Sequence, residues 1–574
     1  MKRLLTTAGF LAMAWCLVLP TRTFASANDT LDVYANGSSL DAVILADTTT
    51  TGAQAHSVYK LVSLDTTYIF LGAATPKSNI TITGVLDQDG RRPCIQPGVL
   101  NDGSVPATLL SMATKGTVAS ISNVYIVELS TANTTTGGVD FDIAADSVKL
   151  YLNNVIDEES RYLVIWYSGS WDDFFIKNCI FRNGVNAVGD WYASQVLSPN
   201  LYLPINPADT VVMDYNTFFC TNGGPGGVSY ANYVEFNHNS SIFTFLGGTP
   251  GVFGSGKIDN NLFYSVISGG NSKSEFTWMD DAYQPEVASL IDYDTLSVVS
   301  DSLFDPADKA NGNWRMLAEA KRNVEVNNNT YFMPAAITSF LTQWDDTSHV
   351  DSLYTPGWMN ARTTQMFSDQ THWPGFHASG NIVSTQDPGF GASFADVLNG
   401  GTGYGVGLLD YITKVRNGTV TTEDWGYQKE IVSGTNWVPA WPLPEAADMM
   451  YSNTTVKNNS SDGKPEGDPY WFTGITAVKQ NPAAVPAKFD LSNNYPNPFN
   501  PSTKINFTVS QDGQTSLKIY NMLGQLVMTV FDGRAVAHQN YNFNVTMDNF
   551  ASGVYFYTLR NGGMSATKKM ILLK

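Results

Sequence analysis

The stretch "MDYNTFFCTNGGPGGVSYANYVEFNHNSSIFTFLGGTPGVFGSGKIDNNLFY", Met213–Tyr264, repeats one short figure three times. An apolar residue stands three positions before an asparagine: Met213 before Asn216, Phe236 before Asn239, Ile258 before Asn261. These asparagines are 23 and 22 residues apart. Between them lie short β-branched and aromatic runs broken by Gly, Ser, Asn and Pro, without helical periodicity. A recurrence of this length marks a structural unit that cannot bury its apolar face alone and must stack on its neighbours.

The figure extends in both directions. It recurs in "YLNNVI" (Asn154), "FIKNCI" (Asn178), "VNNNTY" (Asn329) and "ASGNIV" (Asn381), with Tyr151, Phe175, Val326 and Ala378 three positions earlier. Over all seven asparagines the intervals are 24, 38, 23, 22, 68 and 52 residues. The short interval is one coil of a right-handed parallel β-helix, and the long ones are coils carrying insertions. Asparagine suits the bend between two strands because it tolerates left-handed φ and can bond the asparagines of adjacent coils. The chain is therefore read as all-β. It resembles the right-handed parallel β-helix proteins of the pectate-lyase-like superfamily. "SNITITG" (Ser78–Gly84) and "ISNVYIVEL" (Ile121–Leu129) fit opening coils, and "GNIVSTQDPGF" (Gly380–Phe390) resembles a closing coil. "GKPEGDPYWF" (Gly463–Phe472) resembles the segment that seals such a cylinder. The domain is predicted over 28–474, with insertions near 265–320 and 334–377. "PAAITSFLTQW" in the second insertion is a predicted helix, with Pro334 in its first turn.

The ends of the chain point to export. "MKRLLTTAGFLAMAWCLVLPTRTFASA" has a basic start, an apolar stretch and a small-residue cleavage site at Ala25–Ala27, so residues 1–27 read as a secretory signal peptide. No later segment reaches the ~20 apolar residues of a membrane span. With 33 basic and 52 acidic residues the net charge is −19; such a surface repels nucleic acid and anionic membranes. Cys94, Cys179 and Cys220 are too few for a disulfide framework; a Cys179–Cys220 bridge and two buried thiols are both compatible with the sequence.

Residues 475–488 are Ala- and Pro-rich and read as a linker. Residues 489–574 then alternate as a small immunoglobulin-like β-sandwich. "NYPNPFNPST", "YNMLGQLV", "GVYFY" and a terminal "KKMILLK" follow in this order. These motifs resemble the type A sorting domain of the type IX secretion system. The resemblance implies passage across an outer membrane by that machinery, leaving the cargo secreted or on the cell surface. Leu523, Gly524, Gly553, Lys568 and Lys569 occupy its motif positions.

Two kinds of site are expected on the cylinder. Asp157, Glu158 and Glu159 are candidate Ca²⁺ ligands beside Arg161, Lys177 and Arg182, a set that fits a polysaccharide lyase by residue type. No other cofactor is implied. Asp172–Asp173 and Asp280–Asp281 are poor glycosidase pairs, since neighbours on a strand face opposite ways. Trp166, Tyr167, Trp191, Tyr192 and Tyr230 recur at close to one coil and form a candidate aromatic strip. Turned outward, such rings stack on sugar faces; turned inward, they are core. A surface protein that binds polysaccharide or adheres is the leading expectation. A lyase or glycoside hydrolase, or a structural surface component, is the alternative.

Overall fold

In the computed structural model the described residues run from 29 to 573. Breaks fall at 88–89, 133–137, 186–194, 201–205, 246–250, 270, 273–288, 292, 294–295, 297–313, 345–352, 355, 392, 401–406, 418, 420–430, 433–435, 438–445, 473–489, 493, 495–496, 498, 510–512, 523–524, 536–539, 549 and 563. The signal peptide and linker read from the sequence lie outside the described residues. The chain divides into two units, residues 1–476 and 477–574.

The first unit is a parallel β-helix. One sheet has eleven strands, from Thr30–Val33 to Phe376–Ser379, and a second has ten, from Tyr68–Phe70 to Ile382–Val383. A third has four: Leu110–Met112, Val139–Ile143, Leu163–Tyr167 and Gln195–Pro199. Each strand pairs in parallel with its equivalent one coil away, so side chains form columns: Leu150, Phe174 and Val211 are register partners, as are Phe236, Ile258 and Val326. Strand alternation then sorts the faces. In the first sheet Leu150, Leu152, Phe174 and Ile176 enter the core, while Lys149, Tyr151 and Asn153 face outward. Beyond Gln195–Pro199 the first insertion contributes Leu290, Ile291 and Tyr293 to the same core, with Tyr293 edge-on to Phe253 at 5.0 Å. The predicted helix is present as Ala335–Trp344.

The corners explain the asparagines, and here the sequence reading needs correction. Between the first and second sheets each coil from Val118–Ser122 onward turns through one left-handed residue. These are Asn123, Asn154, Asn178, Tyr215, His238, Asn260, Asn328 and Gly380, with φ from +54° to +65°. The residue after each corner is the ladder position: Val124, Val155 and Cys179 in the early coils, then Asn216, Asn239, Asn261, Asn329 and Asn381. Asn154 and Asn178 therefore belong to the corner column, not to the ladder. The ladder asparagines bond in series: Asn216 Nδ2 donates to Asn239 Oδ1 (2.9 Å), Asn239 to Asn261 (3.0 Å), Asn261 to Asn329 (2.9 Å) and Asn329 to Asn381 (3.0 Å), whereas in the corner column Asn154 bonds Asn123 at 2.8 Å. Each also donates to a main-chain carbonyl of the preceding coil, as Asn239 does to Met213 at 2.7 Å. Cys94, Cys179 and Cys220 are free thiols.

The outer face of the second sheet is covered by the chain itself. Thr217 Oγ1 donates to Asp468 (2.8 Å) and accepts from Trp471 Nε1 (2.7 Å). Thr330 donates to Glu466 (2.9 Å). Phe394, from the helix Ser393–Asn399, packs on Phe219, Phe243 and Tyr264. The predicted closing role of residues near 380–390 and 463–472 thus extends to a long arm lying along the cylinder.

The second unit is a sandwich of two antiparallel sheets. Three strands, Asp490–Leu491, Ser502–Thr508 and Asn540–Thr546, face four in the order Leu526–Ala535, Gly513–Tyr520, Gly553–Asn561 and Met564–Leu572. Ile505, Phe507, Leu517, Ile519, Tyr557 and Met570 are in their shared core. The proline-rich entry is stitched to the last strand: Phe499 N donates to Ile571 O and Leu573 N to Phe499 O, both at 2.9 Å.

Candidate functional site

The acid-and-base group read from the sequence is brought only partly together. Asp157, Glu158 and Glu159 follow one another into a corner and take three directions. Asp157 sits in register between Ile126 and Phe181 and so faces the core, because Phe181 stacks on Phe218 there at 5.4 Å. Glu158 faces the other side of the sheet. Glu159 occupies the second corner, with φ +65°, and pairs with Arg161 at 3.0 Å. Three carboxylates pointing three ways do not chelate a common ion, which corrects the expected Ca²⁺ set. Among the described residues no group of three or more His, Cys, Asp or Glu side chains is placed to hold a metal.

Arg182 and Glu158 form a closed ionic knot. Both side chains are 0% exposed, and Arg182 Nη2 lies 2.5 Å from Glu158 Oε2. Asn183 Nδ2 donates to Glu158 Oε1 at 2.7 Å, and the Tyr125 hydroxyl donates to Glu158 Oε2. Burial opposes the Arg182 charge, but Glu158 and Tyr125 outweigh it and hold the guanidinium pKa above its ordinary value. Such a group cannot take a proton from a substrate. Lys177 is on a different sheet. It faces outward at the first corner and pairs with Asp214 at 2.8 Å; burial lowers its pKa, and Asp214 more than reverses this. Arg161, Lys177 and Arg182 are thus each committed to a separate carboxylate.

Inside the cylinder Asp157 meets two more acids from the preceding coil, Glu128 and Asp140. Asp140 and Asp157 are buried polar groups. Burial, then the charges of Glu128 and Asp157, pushes the Asp140 pKa well above the carboxylate range. Burial is also the main cause that lifts Asp157, to about 8. Of the two adjacent pairs, Asp172–Asp173 divides between core and surface: burial lifts Asp172 to about 7, while Asp173 pairs with Lys149 at 2.7 Å. Asp280 and Asp281 lie outside the described residues.

The aromatic strip is also redistributed. Tyr167 is 0% exposed in the core, and Tyr230 is buried at the entry to the first sheet. Trp191 and Tyr192 lie outside the described residues. The register partners of Trp166 are Asp142 and Ser198, so Trp166 and Tyr230 do not form one column. Trp166 itself is half-buried on the outer face of the third sheet. Beside it are the Tyr162 ring, 6.0 Å away, and the Asp142 carboxylate, which accepts from Ser111 Oγ at 2.8 Å. Asp142 and Ser111 could not be read from the sequence, because their columns depend on strand register.

Another pair of outward rings, Tyr151 and Phe175, lies on the first sheet, 4.7 Å apart at 8°. Each covers a face of the other, which leaves less of both rings for a ligand. At the first corner His238 stacks on Tyr215 at 5.3 Å and is held between Gly467 O (3.0 Å) and Asp462 (3.1 Å). It fastens the arm to the cylinder and is not a free base; burial lowers its pKa, partly offset by Asp462.

In the second unit Gly553 opens the strand Gly553–Asn561 and pairs with Leu572. Lys568 and Lys569 lie on the last strand, opposite Tyr557 and Phe556. Leu523 and Gly524 lie outside the described residues. Residues 493–573 match the family described as "Secretion system C-terminal sorting domain". That domain is a sorting signal for type IX secretion, so the chain is secreted or attached at the outer surface. Among curated proteins no match is found, and no solved structure matches either. No helix of the described residues is long and apolar enough to cross a membrane. The class defined by fold and tail is therefore an exported β-helix protein.

Proposed function

We propose that the exported β-helix binds an extracellular polysaccharide without cleaving it, as a surface binding or adhesive protein. The observation that carries this reading is Trp166. Its indole lies half-buried on an outer face, with the Asp142–Ser111 pair at its border and Tyr162 beside it. An apolar plane edged by hydrogen-bonding groups suits a sugar ring, whose C–H face packs on the aromatic while its hydroxyls bond at the rim. The basic residues that a lyase would need are engaged with Asp214, Glu158 and Glu159. A net charge of −19 favours a neutral glycan over a bare polyanion.

A panel of immobilised polysaccharides tests the reading, with retention and release of new chain ends measured together. Trp166→Ala should weaken retention about fivefold, since one stacked ring contributes roughly 1 kcal/mol. Retention unchanged by Trp166→Ala removes the site. Release of chain ends that is lost in Arg161→Ala or Lys177→Ala would replace binding by lyase chemistry.

A further inference from the structure

The outer face of the four-stranded sheet in the sorting domain is graded from apolar to charged. Leu526, Tyr520, Phe556 and Lys569 are successive register partners and form one row across all four strands. Further along the same face Lys518 pairs with Asp532 at 2.8 Å, and Thr558 bonds Thr567. Polar residues are ordinary there, but the first row is not. Leu526 is 52% exposed and Phe556 37%, and Met522, in the turn joining the first two strands, is 73% exposed. Large apolar side chains clustered in the open mark a surface that is covered in use.

The charge of the domain narrows the occupant. Residues 489–574 contain seven basic and four acidic residues, whereas the whole chain has 33 and 52. The tail is thus locally basic on an acidic protein. Two motif positions, Gly553 and Lys569, lie on the strands that carry the row. We propose that this apolar row, with Lys569 at its margin, is the surface by which the sorting domain docks on a protein of the secretion machinery, against an apolar patch rimmed by acidic residues. The match to a secretion-system sorting domain over residues 493–573 is what points to that machinery as the occupant. A basic margin steers an acidic partner and disfavours the wrong ones.

The test uses the full chain in cells that export it. Leu526→Lys with Phe556→Lys should reduce the protein outside the cell at least tenfold, with accumulation inside the envelope and an unchanged unfolding midpoint. Thr567→Lys, on the polar part of the same face, should leave export within twofold. Export of the double variant within twofold of the parent overturns the proposal, and so does an equal loss from Thr567→Lys. If the double lysine variant melts early, Leu526→Ser with Phe556→Ser, which only trims exposed atoms, is judged by the same thresholds.

Discussion

Asn239→Ala separates the ladder column from the corner column. The Asn239 side chain is fully buried. Its Oδ1 accepts from Asn216 N (3.0 Å) and Asn216 Nδ2 (2.9 Å), and its Nδ2 donates to Met213 O (2.7 Å) and Asn261 Oδ1 (3.0 Å). After truncation Asn216 Nδ2 keeps Ile176 O, and Asn261 Oδ1 keeps the Asn239 main-chain donor. The Asn216 amide and the Met213 carbonyl lose these partners in the buried interior. At 1–3 kcal/mol for each unmet buried group, the cost is about 3 kcal/mol. Asn178→Gly is the contrast: its φ of +55° suits glycine, and the bond it loses, to Asn153 Oδ1, is exposed, so it should cost below about 0.5 kcal/mol. Melting is a blunt readout for so long a chain, because each kcal/mol moves its midpoint by only about 1 °C. Hydrogen exchange is sharper: about 3 kcal/mol accelerates exchange at the Asn216 amide roughly 100-fold. Equal acceleration around residue 216 in the two variants, or an Asn239→Ala effect below threefold, would refute the two-column account.

Other outcomes follow from the buried charges and the tail. Arg182→Ala strands the Glu158 carboxylate and should cost about 3–5 kcal/mol, whereas Lys177→Ala removes a half-exposed lysine from the buried Asp214 and should cost less, about 1–2 kcal/mol; urea midpoints compare them. The pKa values of Asp157, at about 8, and Glu466, at about 9, are raised mainly by burial. A carboxyl raised on folding gives stability that is complete below its unfolded pKa, about 4, and is lost as pH climbs through the folded value. Unfolding free energy should therefore fall between pH 4 and 9, less steeply in Asp157→Asn, as pH-dependent denaturation would read. A chain ending at Lys488 should remain inside the cell envelope; fractionation showing undiminished external protein would contradict the role of the tail.

Much of the architecture was legible because a coil closes in 22–24 residues and repeats its apolar frame. What misled was the outward face. Tyr151 and Phe175 are apolar and stand three residues before Asn154 and Asn178, so they imitate inward markers such as Met213 and Ile258. The true inward residues are Leu152 and Ile176, which place Val155 and Cys179 on the ladder. "YLNNVI" and "IDNNLF" look alike, yet their second asparagines fall in different columns. One residue of register exchanges inside for outside, which also scattered the aromatic strip. Asn459 shows the same limit: it sits in a polar, glycine-containing loop, yet its carbonyl accepts from Asn328 at 2.8 Å. The export tail was legible by a different route, from whole motifs, which need no register.

The arm over the second sheet also sets the order in which the molecule can be completed. Coils close on their neighbours across short chain separations, so they can form as the polypeptide emerges. Thr217 must wait for Asp468 and Trp471, 251 and 254 residues later. Phe219, Phe243 and Tyr264 wait for Phe394, and until the arm follows a growing or interrupted chain presents them to water and to its neighbours. Assembly therefore has an early local phase and a late long-range one, and the interval between them is the time of greatest vulnerability to aggregation. A chain cut short before residue 393 carries the ladder through Asn381 yet lacks both Phe394 and the later Asp468 and Trp471, so release of an incomplete product is dangerous even when every coil is in place.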